Sequence, residues 1–477
     1  MPLHSVTFYG FAFRTLLRDR LNSRSMIDSY RDRSLRVLLQ RARQRVPFQR
    51  PRLAGVDLDN IRLTDIPATT KSAMMAEFND TVADGVVTLE QAIATDSDMG
   101  RLELPIINGK YIVVKSSGTS GKPSWMVSGL RDWAILRGAT FARMARDWMT
   151  VSRALQSTFR PIRSANLAAA HSHSMTWQSS RSAELWARPF VTSRFFPVVD
   201  SVDRIAQALN EYRPEYLHAY PTAAEMLARY RLDGGKLTFD PELMTVGSEA
   251  LTEIARNAIR QAFPKTRLVD HYGMSECLPL STECRLGHKH INTDYAILEP
   301  VDADDNPVMP GEMSDHVLVT NLVNHVQPVI RYRVDDSVRV SHEQCACGSV
   351  FPTVEVLSRK GSQIHLRNDR GTWQMLSPPV VVDTMLRATG VAQFQVIHIR
   401  QNELHVKFIP SKGHDVASVA ASVELQFANV LRRLDCSNAV TAVAEPVDRF
   451  ERTEVGGKLL QTISLVPAPS SFQKNAA

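Results

Sequence analysis

The chain has 477 residues, enough for two to four domains at roughly 100–200 residues each. Hydrophobic residues make up 44% and charged residues 22%, an ordinary globular balance that excludes a largely disordered chain; no apolar run reaches the ~18 residues of a spanning helix. The net charge of +6 is uneven: residues 14–52 hold twelve arginines and three aspartates with no lysine or glutamate, so that stretch carries +9 and the remainder −3.

The N-terminus lacks an uninterrupted apolar core followed by a small-residue cleavage site, and five cysteines are too few for a disulfide framework. A cytoplasmic protein is expected. From Arg14 to about Glu77 the chain reads as helical, punctuated by Pro47, Pro51 and Pro67. Leu35, Val37, Leu38, Leu39, Ala42 and Val46 recur near helical spacing between the arginines. Such a stripe needs a core to pack on, so the basic stretch reads as a solvated helix face, with no nucleic-acid or membrane partner. Tyr111–Val114 is a short β-branched run ahead of a glycine-rich stretch.

Strands and helices then alternate. Ser201–Tyr212, Thr222–Arg231 and Thr252–Phe263 read as helices; Tyr216–Ala219, Leu243–Gly247 and Thr266–Tyr272 read as strands. That alternation predicts a parallel α/β sheet. After Ile291 closely spaced β-rich runs follow, among them HVLVTNLV, PVIRYRV and SVRVS. A boundary is expected near 357–359, dividing the chain into 1–357 and 358–477. The second unit should hold a hairpin turning at Gln401–Asn402, a helix over Asp415–Leu434, a last strand and a frayed tail.

Ser116-Ser117-Gly118-Thr119-Ser120-Gly121-Lys122-Pro123-Ser124 is the strongest chemical signal. Glycines let backbone N–H groups approach phosphate oxygens, hydroxyls donate hydrogen bonds, and Lys122 supplies positive charge. It is not a Walker A loop, which needs four residues between its glycines and a Ser or Thr directly after the lysine.

This string resembles the phosphate loop of the adenylate-forming superfamily. Three further segments resemble that superfamily's motifs in the same order: Asp270-His271-Tyr272-Gly273-Met274-Ser275-Glu276, Arg331-Tyr332-Arg333-Val334-Asp335-Asp336, and Glu454-Val455-Gly456-Gly457-Lys458. Within it the chain is most similar to phenylacetate–coenzyme A ligases and their capsule-biosynthesis-like relatives, through LRVLLQRARQRVPFQR, IPATTKSAMMAEF and Gly247-Ser248-Glu249-Ala250-Leu251. The resemblance implies a large multi-subdomain α/β N-terminal adenylating domain and a small mobile α+β C-terminal lid. It implies ATP-dependent activation of a small or aryl carboxylic acid to an acyl-adenylate, followed by transfer to coenzyme A. Transfer to an amine is the alternative; a zinc-containing nucleic-acid-binding protein is the reading from another class.

The implied roles follow the motifs. Lys458, Glu276 and Lys122 are catalytic, with Glu276 holding Mg²⁺. Ser116, Ser117, Gly118, Thr119, Ser120, Gly121, Ser248, Glu249, Asp270, Tyr272, Gly273, Ser275, Asp336 and Arg359 contact the nucleotide. The family's glycine before the ribose aspartate is Asp335 here, which leaves Asp335 as a second candidate for the ribose. The acidic hinge residues of the family are absent from Ser358-Arg359-Lys360-Gly361-Ser362. Cys284, Cys345 and Cys347 with His290 (or His288) fit a closed four-ligand Zn²⁺ site of structural type; the resemblance favours His290. His171 and His173 could line an acyl pocket or bind a metal, and His218 is a second candidate wall of that pocket.

Overall fold

The computed structural model describes the chain apart from residues 1–2, 22, 96–103, 105, 116–123, 169–174, 189, 199, 249–250, 252, 357–363, 377, 412, 449–461 and 467–477. No described helix is long and apolar enough to cross a membrane.

Two helices open the chain, α1 (Leu3–Leu21) and α2 (Arg24–Arg45). Helix therefore begins well before Arg14. Ser5, Phe8, Ala12 and Thr15 are buried, and their spacing of three and four residues gives α1 an inner face before the arginines start. The Ser23 side chain caps α2 by accepting from the Met26 N–H. Leu35, Leu38, Leu39, Ala42 and Val46 are buried as expected, but Val37 is 37% exposed; it falls between the turns that carry the stripe. Several of the arginines are built into the fold. Arg31 pairs with Asp28 and Asp32, and Arg45 with Asp84. Arg36, Arg43 and Arg52 donate to the backbone carbonyls of Leu58, Val56 and Pro67.

A nine-stranded sheet forms the centre. Its parallel part runs, in spatial order, Val191–Pro197, Ile162–Ala168, Tyr216–Ala219, Leu243–Gly247 and Arg267–Tyr272. The connecting helices Val202–Tyr212, Pro221–Leu232 and Glu253–Ala262 lie between these strands in sequence. Alternation along the strands sorts their side chains between two faces. Ala165, Leu167, Leu217, Ala219, Met244 and Val246 enter one buried apolar cluster with Ile205, Leu227 and Ile259 of those helices. Asn166, His218 and Thr245 stand in register on the other face, where Asn166 donates to Ser180 of the helix Met175–Trp186. Beyond Tyr272 the sheet turns antiparallel through Ser281–Glu283, Lys289–Ile291, Thr353–Val356 and Val338–Ser341.

A smaller sheet pairs Tyr111–Lys115 with Trp125–Gly129, Lys115 opposite Trp125. The residues between them are those of the glycine-rich string. A third sheet joins Ala296–Val301, His316–Asn321 and Tyr332–Val334. Near the C-terminus, Val391–Arg400 and Glu403–Pro410 form the hairpin turning at Gln401–Asn402, and the helix Val416–Arg433 is capped by Asp415. Thr441–Pro446 and Thr462–Ser464 complete that four-stranded sheet in parallel with its neighbours. The expected boundary at 357–359 lies outside the described residues.

Candidate functional site

The last residues of the parallel strands come together at one end of the sheet, where open α/β sheets bind ligands. Gly247 and His271 are register partners at the ends of adjacent strands. The backbone there is crowded: a Cβ on Gly247 would lie 2.9 Å from the His271 carbonyl oxygen, and one on Gly273 would overlap the Leu278 carbonyl. Glycine at 273 is thus a steric requirement of the turn leaving the strand. Ser248 has φ 72, a left-handed conformation that a non-glycine residue rarely adopts.

This turn delivers Tyr272 and Glu276. The Tyr272 hydroxyl donates to Asp336 Oδ2 at 2.9 Å, across 64 positions of sequence. Asp336 is half-buried, whereas Asp335 is exposed and faces Arg333, its carboxylate 3.5 Å from Nε. Glu276 is 9% exposed. One carboxylate oxygen, Oε1, accepts from the Tyr332 hydroxyl at 3.0 Å and the Ser124 hydroxyl at 3.3 Å. The Asn321 amide donates to the Glu276 carbonyl at 2.9 Å, which fixes the backbone beneath it. Burial and the Glu276 charge both push the Tyr332 phenol upward, so it stays protonated and remains a donor. Ser124 is the last residue of the glycine-rich string, and so ties the end of that segment to Glu276.

Lys71 belongs to the same neighbourhood, although sequence reasoning assigned it no role. It opens the helix Lys71–Ala76, and the preceding Thr69 bridges Tyr332 in parallel. Met75, one turn on, receives the Trp125 N–H at its sulfur. Burial lowers the Lys71 ammonium and the Glu276 charge partly restores it. Its position in IPATTK was the available signal.

Other expected residues fall differently. Asp270 is buried and paired with Lys289 at 2.6 Å, and its N–H donates to Glu283. Ser275 is half-buried on the same turn. Ser116, Ser117, Gly118, Thr119, Ser120, Gly121, Lys122, Glu249, Arg359, Lys458, His171 and His173 lie outside the described residues. His218 Nδ1 and the Tyr216 hydroxyl share Thr245 Oγ1 at 2.8 and 2.9 Å. Burial pulls His218 down to about 3 and His271 to about 4, so both are neutral near physiological pH.

A second cluster lies at the antiparallel edge. The ligand atoms of Cys284, His290, Cys345 and Cys347 all fall within 4.8 Å of one another. The pairing of Lys289–Ile291 with Thr353–Val356 brings the two segments together, His290 opposite Thr353. His290 Nδ1 lies 2.8 Å from the Phe351 carbonyl, which makes Nδ1 the protonated donor and leaves Nε2, 3.4 Å from Cys347 Sγ, to face the thiols. His288 is exposed and outside the cluster. Backbone N–H groups of Leu286 and Ser349 donate to Cys284 and Cys347 sulfur, each at 3.4 Å. Burial lowers the His290 imidazolium toward its neutral, ligating form. The donor set fits a tetrahedral, closed zinc site.

Residues 145–312 match the AMP-binding enzyme family. That match spans 168 of the 477 residues. Protein CapK of Staphylococcus aureus is 31% identical over 136 residues, a stretch covering 28% of each chain. Among solved structures, 2-hydroxyisobutyryl-CoA ligase in complex with 2-HIB-AMP and CoA superposes with a TM-score of 0.58 at 19% identity, over 94% of this chain and 91% of that one. The same ligase in its postadenylation state gives 0.55 at 18% identity, over 96% and 93%. The two folds agree along nearly their whole length.

Proposed function

We propose that this protein is an acyl-adenylate-forming ligase. It activates a small carboxylic acid with ATP, releases pyrophosphate, and passes the acyl group to coenzyme A. The observation that carries this reading is the convergence of Tyr272, Asp336, Glu276 and Tyr332 at the ligand end of the parallel sheet with Ser124, the last residue of the glycine-rich string. The name of the superposed ligase, with its acyl-AMP and CoA, supports both half-reactions.

Each side chain has a task that its environment suits. Asp336, aligned by the Tyr272 hydroxyl, accepts from the ribose hydroxyls, while the Tyr272 ring offers a face to adenine. Glu276, with Oε1 occupied by two donors, keeps Oε2 for Mg²⁺, which when bound neutralises phosphate charge. The glycine-rich string and Lys122 hold the phosphates. Lys458, from the C-terminal segment, meets the oxygens at the reacting carbon when residues 358–477 close as a lid over 1–357. The acid's oxygen attacks the α-phosphorus, the bond to pyrophosphate breaks, and the protein's contribution is positioning and charge. The coenzyme A thiol then displaces AMP from the acyl carbon. Asp270, paired with Lys289, braces the strand end in this reading and does not bind nucleotide. The Cys284, His290, Cys345 and Cys347 set holds a structural Zn²⁺, with no open position for chemistry.

Pyrophosphate release over a panel of acids tests the first half, and mass spectrometry of products formed with coenzyme A or free amines tests the second. Lys458→Ala should slow adenylation by ~10²–10³, the usual effect of removing a charged transition-state contact, with nucleotide binding retained. Unchanged pyrophosphate release in that variant would remove Lys458 from the mechanism; amide as the sole product would replace coenzyme A as acceptor.

A further inference from the structure

The inner face of α1 is packed hard against the protein. Ser5, Phe8, Ala12 and Thr15 are buried, and α1 approaches the helix Leu130–Met144 so closely that a Cβ on Gly138 would overlap the Phe8 carbonyl. On the opposite side, Val6, Gly10, Phe13 and Leu17 recur with the same spacing and form one line along the helix. Val6 is 56%, Phe13 62% and Leu17 38% exposed. Gly10 is exposed too, and a Cβ there would meet nothing within 4 Å. A helix held rigidly by one face thus offers solvent an apolar line with a notch near its middle.

We infer that this line is a self-association face, on which two copies of the chain pair α1 against α1, antiparallel, about a twofold axis. In such an isologous contact residue i meets j and j meets i. The alignment that seats Phe13 in the notch at the partner's Gly10 also sets Val6 against the partner's Leu17. All four positions are then used, each large side chain meeting a complementary one or a gap. The same alignment places Arg14 opposite the partner's Tyr9, so no like charges oppose. A parallel pairing would stack Phe13 on Phe13, leave an empty space at Gly10, and bring the two Arg14 side chains together.

A lipid surface suits this face less well. Interfacial helices flank their apolar line with uncommitted cations. Here Arg18 is stacked on Tyr30, its guanidinium carbon 3.7 Å from the ring centre, and is paired with Asp294 at 3.1 Å. The line from Val6 to Leu17 is about 16 Å long at 1.5 Å per residue. A contact of three turns buries less than the roughly 1,200 Å² of standard stable interfaces, so the pairing is reversible and shows at micromolar concentration.

Sedimentation velocity of the full chain across the micromolar range tests the proposal. The wild type should shift from monomer to dimer as concentration rises. Phe13→Asp and Gly10→Leu should each weaken association at least about ten-fold; both positions are exposed, so Phe13→Asp should leave thermal unfolding close to wild type, and Gly10→Leu should not lower it because leucine is the better helix former. Under mild oxidation a Val6→Cys/Leu17→Cys double variant should cross-link between copies above the wild-type background, and Val6→Cys alone should not. A monomer at every concentration overturns the proposal, as does a dimer indifferent to Phe13→Asp. A monomer that floats with phosphatidylserine vesicles, and loses that binding in Phe13→Asp, assigns the face to lipid instead.

Discussion

Tyr272→Phe removes a single hydroxyl and keeps the ring. In the structure that hydroxyl donates to Asp336 at 2.9 Å within a half-buried setting. A hydrogen bond to a charged acceptor is worth about 1.5–3 kcal/mol, and partial solvent access puts this one at the lower end. In the proposed mechanism Tyr272 acts on the ribose only through Asp336, so part of that sum should reach the nucleotide: KM for ATP should rise about three- to ten-fold, with kcat nearly unchanged. Asp336→Asn removes the acceptor itself and should cost about ten times more. Asp335→Asn should fall within about two-fold of wild type, because that carboxylate is 45% exposed and turned to Arg333. In the double variant Tyr272→Phe/Asp336→Asn the two effects should fail to add, by about 1 kcal/mol. Pyrophosphate-release kinetics with ATP titration measures all four proteins. Strict additivity would break the proposed link between Tyr272 and the ribose, and a larger effect at Asp335 than at Asp336 would move the ribose contact by one residue.

Three further outcomes are expected. Elemental analysis should find about one zinc per chain, and Cys345→Ser should lower the melting temperature far more than it changes the kinetics of the folded fraction; native protein without metal, all five thiols titrating freely, would contradict this. Asp132 is 9% exposed, and burial raises its carboxyl to about 6, above its unfolded value, against the opposing hydrogen bond from the His325 N–H. Its contribution is therefore most favourable below pH ~4 and is lost as pH rises through 6, so Asp132→Asn, which keeps an acceptor, should gain on the order of 2 kcal/mol over wild type at pH 7.5 and nothing at pH 4; a difference independent of pH in denaturant titrations would refute burial as the cause. Gly273→Ala should destabilise by at least about 1–3 kcal/mol through the clash at the Leu278 carbonyl, and an unaltered melting temperature would show that the turn can relax.

Much of the fold was legible because its signals are local. The strands Tyr216–Ala219 and Leu243–Gly247 and the helix Val202–Tyr212 follow from hydrophobic period and flanking turn residues, and the hairpin at Gln401–Asn402 from two β-rich runs and a polar break. Residue types that carry chemistry wherever they stand marked the glycine-rich string and the cysteines, a motif resemblance marked Tyr272 and Glu276, and these too are local signals. They failed at α1, whose apolar residues lie on both faces, and at Val37, where a β-branched residue beside a buried stripe looks buried when read alone.

Sequence by itself therefore determined the alternation of elements, the motifs that resemble those of adenylate-forming enzymes and the cysteine–histidine donor set. Tertiary structure decided which groups meet. That Tyr272 reaches Asp336 and not Asp335, that Tyr332 and Ser124 both donate to one oxygen of Glu276, that Lys71 shares their surroundings, and that His290 and not His288 faces the thiols are all facts of pairing between distant segments. The physical reason is range. Helix and strand preferences arise within a few residues of each side chain, whereas the pairing of sheets sets contacts across tens to hundreds of positions and turns each side chain to one face or the other.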